Sequence, residues 1–334
     1  MFHPHRRSQL ARLCALAALA TLGIGATTGA HAQGSYPNKP IKLVVPYPAG
    51  GGVDAIARRL AQGLGTQLGQ QVIVDNRPGG NLIIATRYVA QAEPDGYTLH
   101  FTVSQPYTMN QFFFKSLPYD PEKAFTPVAT VSAFTTGLQV AADSPFKTLQ
   151  DYVQYVKAHP GKLNFGSAGA TSQARLAMDM FNDAAGLQMM HVAYQGGAPA
   201  SVALMAKETQ SMFMDHTSTS PYIKAGKMRT LAVNYPTRVE TLPGVPTFAE
   251  AGYPNLNIPL VWTGLMAPPH TPPAIVNRLA EAVRKEVTSA EMKRFFNDFS
   301  LIALPGGPAE VNALIRKDID GWGGMIKKLG ITIE

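Results

Sequence analysis

Cysteine is almost absent from this sequence, which removes several kinds of chemistry. The only cysteine among the 334 residues is Cys14, which lies in an apolar N-terminal stretch. If that stretch is cleaved on export, no disulfide, thiol nucleophile or cysteine-ligated metal remains. The histidines farther along show neither an H-E-x-x-H pattern nor another metal-ligand spacing. We therefore expect no metal and no cofactor.

Strong charge of one sign is also lacking. The chain has 29 basic and 22 acidic residues, and three of the basic ones precede residue 33. It contains no run of lysine or arginine and no alternation of basic with aromatic residues, so we expect no nucleic-acid partner. No apolar segment after residue 32 reaches the ~20 residues that a membrane span needs.

The N-terminus has the pattern of a secretory signal. Residues 1–12 contain three arginines, residues 13–26 are apolar, and Ala30-His31-Ala32 fits the small-x-small cleavage rule. The alternative is a membrane anchor, for which the apolar run is short. We expect a signal peptide over residues 1–32, cleavage after Ala32 and a periplasmic product.

The remaining chain alternates between strand and helix patterns. Leu43–Val45 predicts a buried strand, and the four-residue spacing of Ile56, Leu60 and Leu64 predicts a helix over 55–68. Such alternation implies α/β architecture with parallel strands. Further strands are predicted at 72–74, 97–103, 163–165, 191–194, 212–215 and 230–233, and further helices at 83–92, 149–158, 173–185, 273–287, 290–299 and 308–329.

This order predicts two lobes with a cleft between them, each a doubly wound sheet flanked by helices. We assign residues 33–131 and 264–334 to lobe 1 and residues 132–263 to lobe 2. Two extended connections, near 128–142 and 258–268, would then form a hinge. The alternative is two serial domains without a cleft.

Two glycine-containing loops follow predicted strands. Gly50-Gly51-Gly52 and the segment 166–172 each precede a helix, so each can present backbone N–H groups to an anion. Neither has the spacing of a nucleotide motif. The simpler alternative is that the glycines only permit tight turns.

Several polar residues at these strand ends have two possible roles. Asp54 is either the N-cap of the helix at 55–68 or a ligand contact. Ser104 and Gln105 begin a loop after the third strand, where they could contact a ligand. Thr171 and Ser172 combine a capping role with the capacity to donate hydrogen bonds to an anion.

Hydrolase chemistry has little support. Ser167 is not in a G-x-S-x-G turn, because Phe165 occupies the first glycine position. Asp215-His216 ends a strand and could serve metal or acid–base chemistry, although a loop role is the simpler alternative. Trp262 is expected in the core or in a wall of the cleft. We expect no catalytic residue.

Short motifs in a consistent order resemble a known family, the periplasmic solute-binding receptors of tripartite tricarboxylate transporters (Bug or TctC-like proteins). The resemblance covers nearly all of the chain after the signal. The matching segments are Tyr36–Ile41, Val44–Gly51, Asp54 with Ala57-Arg58, Asp75–Gly79, Pro94–Leu99, Leu117–Pro121, His159–Leu163, His191–Gly196, Leu242–Thr247 and Trp262–Leu265.

The resemblance implies a type II-like "Venus flytrap" fold, a small organic carboxylate as ligand and inner-membrane permease subunits as partners of a monomeric receptor. The carboxylate would be a di- or tricarboxylate or an aromatic acid, held by backbone groups and water of the loop at 47–54 and by the other cleft loops. A sensory subunit with the same clamp is an open alternative. The candidate ligand-binding residues are Tyr47, Ala49, Gly50, Gly51, Asp54, Ser104, Gln105, Ser167, Gly169, Thr171, Ser172, Gly197 and Asp215.

The chain also departs from the family pattern. Asn81-Leu82 follows Gly80 where the family often has further glycines. Arg175 replaces a frequent histidine, Gln195 a frequent lysine or arginine, and Ala193 a frequent proline. Arg175 lies one turn inside its helix, so we expect it to add positive charge near the cleft.

Overall fold

Two mixed β-sheets with helices packed on them make up the part of the chain that the computed structural model describes, residues 36–330. The predicted signal peptide lies outside the described residues. A compact unit begins at Lys39 and contains all the elements below. No helix of residues 36–330 is long and apolar enough to cross a membrane.

The described strands are β1 (Ile41–Val45), β2 (Val72–Asn76), β3 (Thr98–Val103), β4 (Thr126–Phe134), β5 (Thr136–Ala141), β6 (Asn164–Ser167), β7 (Met190–Ala193), β8 (Ser211–Asp215), β9 (Met228–Asn234), β10 (Trp262–Ala267) and β11 (Leu301–Ala303). The described α-helices are α1 (Gly52–Leu68), α2 (Ile83–Ala90), α3 (Gln105–Thr108), α4 (Asn110–Phe113), α5 (Leu149–Ala158), α6 (Gln173–Ala185), α7 (Gly197–Met205), α8 (His216–Lys224), α9 (Pro273–Val287), α10 (Ala290–Asp298) and α11 (Pro308–Leu329). A 3₁₀ turn, Gly80–Leu82, precedes α2.

The first sheet has the strand order β11-β4-β10-β3-β1-β2. Its β1 is parallel to β2 and β3, whereas β10 is antiparallel to β3 and β4, and β11 is antiparallel to β4. The second sheet has the order β7-β6-β8-β5-β9, with β6 parallel to its neighbours and β5 antiparallel to β8 and β9. The expected α/β class is confirmed, and the sheets are mixed because β5, β10 and β11 run antiparallel to their neighbours.

Within residues 36–330 the chain passes between the sheets twice. β4 ends at Phe134 in the first sheet and β5 begins at Thr136 in the second, and the return runs from β9 at Asn234 to β10 at Trp262. The segments around both crossings were predicted as extended connections. In the structure they form strands of the two sheets instead. The expected loop after Ser104 was wrong, because α3 begins at Gln105.

Each lobe has an apolar core beneath its helices. The predicted stripe on α1 is confirmed, since Ile56, Leu60 and Leu64 are fully buried. The second lobe's core contains Phe165 and Phe213, and Trp322 of α11 joins the same cluster from the first lobe. Apolar packing on one side of the cleft thus continues from one lobe to the other.

Candidate functional site

A cavity of about 720 Å³ lies between the lobes and is lined from both of them. Its walls come from the ends of β1, β3, β6, β7 and β8 and from the helices that follow, which is where open α/β sheets place ligands. The predicted site residues that line the cavity are Tyr47, Gly50, Gly51, Gln105, Gly169, Thr171, Ser172, Gly197 and Asp215. The predicted residues outside its lining are Ala49, Asp54, Ser104 and Ser167.

The β1–α1 loop presents an uncapped helix N-terminus to the cavity. Gly51 is the N-cap of α1 and makes no side-chain cap hydrogen bond. The first N–H groups of a helix have no partner within the helix, so those of α1 are available for an anion. Gly50 has φ +86°, a left-handed conformation that favours glycine.

Asp54 holds the β1–α1 loop through hydrogen bonds. Of the two roles that the sequence allowed for Asp54, the N-cap was wrong, because Gly51 is the N-cap of α1. Asp54 lies in the first turn of α1, and Gly50 N donates to its Oδ2 at 2.8 Å. Arg58 Nε donates to Oδ2 and Asn76 Nδ2 to Oδ1, both at 2.8 Å, and the same Asn76 nitrogen lies 2.9 Å from the Tyr47 carbonyl oxygen. Burial raises the pKa of the Asp54 carboxyl, but these hydrogen bonds outweigh it and hold the pKa below its usual value.

A second uncapped helix N-terminus comes from the other lobe. Gly196 is the N-cap of α7, has φ +113° and makes no side-chain cap hydrogen bond. Gln195, Gly196 and Gly197 all line the cavity. Two helices, one from each lobe, therefore direct free backbone donors into the same space.

The third loop at the cleft joins β6 to α6, and one of its own residues caps the N-terminus of α6. Ser172 Oγ accepts from Arg175 N at 3.2 Å and donates to the Gly169 carbonyl at 2.8 Å. Its neighbours reach the other lobe: Thr171 Oγ1 donates to Asn81 Oδ1 at 3.3 Å, and Gln173 Nε2 donates to Ser104 Oγ at 3.2 Å. The described structure therefore has the two lobes in hydrogen-bonded contact at this cleft.

Ser104 belongs to a buried polar group behind the cavity. It is fully buried, as is Trp262, whose Nε1 donates to Asp318 Oδ2 at 2.8 Å. Burial raises the pKa of Asp318 to about 7, although hydrogen bonds from Trp262 and Ser104 oppose the rise. Trp262 does not line the cavity, so it is a core residue. The tryptophan in the lining is Trp322.

Ser167 is held as a structural hydroxyl. Its Oγ donates to the Gly169 carbonyl at 2.9 Å, and the hydroxyl has only one proton. The same oxygen lies 2.7 Å from His191 Nε2, where the donor depends on the imidazole tautomer. Ser167 is fully buried and does not line the cavity, so it is not placed to attack a bound ligand.

Both ring nitrogens of His216 have hydrogen-bond partners within the protein. Its Nδ1 lies 2.8 Å from the Thr135 carbonyl oxygen and its Nε2 lies 2.9 Å from Thr230 Oγ1. Burial lowers the pKa of His216 to about 4. Since a carbonyl only accepts, Nδ1 carries the proton. Asp215 and His216 therefore point to different surroundings, and residues 36–330 contain no cluster of three metal-binding side chains.

Asp215 is the one charged side chain among the described residues that line the cavity. It is the N-cap of α8, and its carboxylate accepts from Ser218 N at 2.7 Å and Ser218 Oγ at 3.1 Å. Burial raises its pKa. Tyr47 faces it from the other lobe: burial raises the pKa of the Tyr47 phenol, and the Asp215 charge adds to that rise.

Arg175, expected to bring positive charge to the cleft, does not line the cavity. Its Nε is paired with Asp179 at 3.3 Å and its Nη1 donates to the Ala170 carbonyl at 2.8 Å. Among the described residues, no lysine, arginine or histidine lines the cavity. Donors to an anion would have to come from the backbone and from neutral side chains.

Two lining residues that were not among the predicted site residues have left-handed backbone conformations. Asn81 has φ 51° and Leu82 has φ 71°, which is unusual for residues with a Cβ. Asn81 is fixed by Thr171 and by Asn110 Nδ2, which donates to its carbonyl at 3.2 Å. Both residues adjoin a glycine-rich segment, and this is the sequence signal that could have identified them. Strained backbone conformations of this kind cluster at binding sites.

Other lining residues were also missed, and they come from distant parts of the chain. They are Phe134, Thr136, Thr217, Tyr222, Pro259, Phe299 and Trp322. Thr217 Oγ1 donates across the lobes to the Phe299 carbonyl at 3.0 Å. No local motif marks these positions, since only the packing of the lobes brings them together.

The fold and the inter-lobe cleft are those of the two-lobed periplasmic solute-binding proteins. The sequence profile of the family described as Tripartite tricarboxylate transporter family receptor (TctC) matches residues 56–331. The chain is 34% identical over 306 residues to a UPF0065 protein of Bordetella pertussis, covering 92% of this chain and 94% of that protein. Protein BugT of the same organism is 30% identical over 317 residues, covering 95% of this chain and 96% of that one. This chain therefore belongs to the TctC receptor family, as the motifs predicted.

Solved structures of similar proteins share the architecture. R. palustris Rpa4515, solved with adipate, superposes with a TM-score of 0.83 at 29% identity, covering 89% of this chain and all of that one. MatC (Rpa3494) of Rhodopseudomonas palustris, solved with bound malate, has a TM-score of 0.77 at 28% identity, covering 87% of this chain and all of that one. The two-lobed fold expected from the sequence is thus confirmed.

Proposed function

We propose that this chain is a periplasmic receptor that captures a small organic carboxylate between its lobes and delivers it to an inner-membrane permease of the tripartite tricarboxylate type. Membership of the family supports the receptor role. The adipate and malate held by two similar structures support a carboxylate ligand. The receptor acts as a monomer without catalysis.

The observation that carries the proposal is the pair of uncapped helix N-termini in one cavity. α1 and α7 come from different lobes, and their N-caps are Gly51 and Gly196. Each N-terminus stabilises an anion by about 0.3–1 kcal/mol, and by up to about 2 kcal/mol where it is partly buried. Backbone N–H groups that donate to a carboxylate add charge-assisted hydrogen bonds. A carboxylate can therefore be held without a lysine or arginine.

Closure of the lobes would complete the site. We place the hinge at Thr135 and in the segment 235–261, so that the first lobe comprises residues 39–134 and 262–330. The contacts from Thr171, Gln173 and Thr217 to the opposite lobe belong to the closed form. A ligand that touches both N-termini binds the closed form best and shifts the population towards it.

A thermal-shift screen with mono-, di- and tricarboxylates, including aromatic acids, tests the proposal. A ligand at 100 times its Kd stabilises the native state by about 2.7 kcal/mol. We predict that Gly51→Val abolishes this stabilisation, because the isopropyl group blocks the N–H groups of α1. We expect the fold to tolerate valine, since Gly51 has φ −79° and an added Cβ would meet only the Pro48 carbonyl oxygen, at 3.7 Å.

The matched control is Gly324→Val on α11, where an added Cβ meets nothing within 4 Å. It should keep full ligand stabilisation. Stabilisation of the wild type only by sugars or cations would refute the carboxylate ligand, and unchanged binding by Gly51→Val would remove the β1–α1 loop from the site. Chemical conversion of a stabilising ligand, followed by NMR, would refute the non-catalytic role.

A further inference from the structure

The backbone donors and the acidic side chain of the cavity lie side by side. An added Cβ at Gly52, the first residue of α1, would lie 3.3 Å from Thr217 Cγ2, and one at Gly197, the first residue of α7, would lie 3.8 Å from Ser218 Cβ. Thr217 and Ser218 belong to the first turn of α8, whose N-cap is Asp215. The uncapped N-termini of α1 and α7 and the Asp215 carboxyl group therefore share one end of the cavity.

Asp215 is arranged as an ionised acceptor. Its Oδ1 accepts from Ser218 N at 2.7 Å, and its Oδ2 accepts from Ser218 Oγ at 3.1 Å. Its position as N-cap of α8 also favours the charged form, because the helix dipole stabilises an anion there. Each carboxylate oxygen keeps capacity for a further donor.

The described residues supply no cation to Asp215. No ion pair among them includes it. Tyr47 faces it from the other lobe, but burial raises the pKa of that phenol, so it stays protonated and neutral. His216 follows it in the chain, but burial lowers the pKa of that imidazole to about 4, so it is neutral at pH 7. A cation that pairs with Asp215 would have to come from the ligand.

This arrangement restricts the group that a ligand carboxylate can carry beside it. A carboxylate on the N–H groups of α1 and α7 lies next to Asp215, and two like charges in a partly desolvated cleft repel far more than in water. An ammonium group on the carbon next to the ligand carboxylate would lie between the two anions and donate to Asp215. Such a hydrogen bond between charged groups is of the strong kind.

We infer that the ligand is an α-amino carboxylate, whose carboxylate binds the N-termini of α1 and α7 and whose ammonium group donates to Asp215. The inference rests on the proposed function, because the carboxylate must occupy the two helix N-termini. It narrows the ligand class from carboxylates in general to those with an ammonium group on the α-carbon, and it makes Asp215 the residue that recognises that group.

Matched ligands test the α-ammonium group independently of the side chain. The pairs are hexanoate with norleucine, 3-phenylpropanoate with phenylalanine and succinate with aspartate, and the members of each pair differ only in the ammonium group on the α-carbon. By calorimetry, the wild type should bind the tightest of the three amino acids about 10- to 100-fold more tightly than its partner, as expected for a hydrogen bond to a charged group. 6-Aminohexanoate, an isomer of norleucine with the ammonium group at the far end, should bind more weakly than that amino acid.

The variant Asp215→Asn tests the residue. Asparagine is an equally good N-cap and can still accept from Ser218 N. The variant should lose about 10- to 100-fold in affinity for the amino acid and should bind the partner without the ammonium group at least as tightly as the wild type does. The control is Asp143→Asn, which alters an exposed carboxylate of the second lobe outside the cavity and should change neither affinity.

The outcomes are distinguishable. If neither the carboxylates nor the amino acids bind, the proposed function fails and this inference fails with it. If a carboxylate without the ammonium group binds the wild type as tightly as its amino acid partner, or if Asp215→Asn affects both members of a pair equally, the proposed function stands and this inference is overturned. The comparison of ligands on the wild type decides the matter even if the variant does not fold.

Discussion

Replacement of Asp318 by asparagine should make the protein more stable at alkaline pH. Asp318 is only 2% exposed and accepts a hydrogen bond from Trp262 Nε1 at 2.8 Å. Burial raises the pKa of its carboxyl from 3.8 to about 7. The folded state therefore holds a proton that the unfolded state loses above pH 4.

The sign follows from this proton. As the pH rises from about 4 to about 7, the free energy of unfolding of the wild type falls, because the unfolded chain ionises freely and the folded one does not. Each pKa unit is worth about 1.4 kcal/mol, so the whole rise corresponds to about 4 kcal/mol. Asparagine is neutral throughout and its oxygen can still accept from Trp262.

Urea denaturation of both proteins at pH 4.5 and pH 8 measures the effect. The stability of Asp318→Asn relative to wild type should increase by about 3 kcal/mol between the two pH values. Asp320→Asn on the same helix is the control, since Asp320 is exposed, and its difference should stay nearly constant. An Asp318→Asn protein that is less stable at pH 8, or a pH-independent difference, would refute the reasoning.

Two further predictions concern the helices. Gly63→Ala should destabilise the fold by about 1–3 kcal/mol in urea denaturation, because an added Cβ would overlap the buried Glu286 carboxyl. The control, Gly324→Ala, should stabilise it by about 0.5–1 kcal/mol, because its added Cβ meets nothing within 4 Å. Equal effects of the two substitutions would contradict the close packing of Gly63 against Glu286. Thr148→Ala should cost about 1 kcal/mol by the same assay, because Thr148 and Asp151 form a reciprocal capping box at the start of α5; no loss would mean that this cap is not needed.

Local sequence patterns predicted the α/β alternation because the spacing of apolar residues reflects which face of a helix or strand is buried. The stripe of Ile56, Leu60 and Leu64 is a property of one helix, and it is buried as expected. Strands β4 and β5 were harder to predict. Their residues are almost all buried, so they lack the polar–apolar alternation that marks a strand with one exposed face.

The residues of the candidate site also fall into two groups, those that a local sequence pattern predicts and those that depend on tertiary packing. Gly51 and Gly169 were predicted from strand–glycine–helix patterns, and both line the cavity. Ser104 follows a strand in the same way, but its hydroxyl is fully buried against Gln173. A sequence pattern locates the end of a strand, whereas the direction of the side chain depends on the lobe that packs over it. Trp322 lines the cavity from the last helix, and only tertiary packing brings it there.

The backbone amides at the two uncapped helix N-termini show directly whether one carboxylate contacts both lobes. We would record ¹⁵N–¹H NMR spectra while titrating the carboxylate that stabilises the protein most in the thermal-shift screen. We predict that the amides of Gly52, Val53, Gly197 and Ala198 shift together and saturate at the same concentration, because one ligand contacts both lobes. Saturable shifts confined to other regions, with these four amides unchanged, would contradict it.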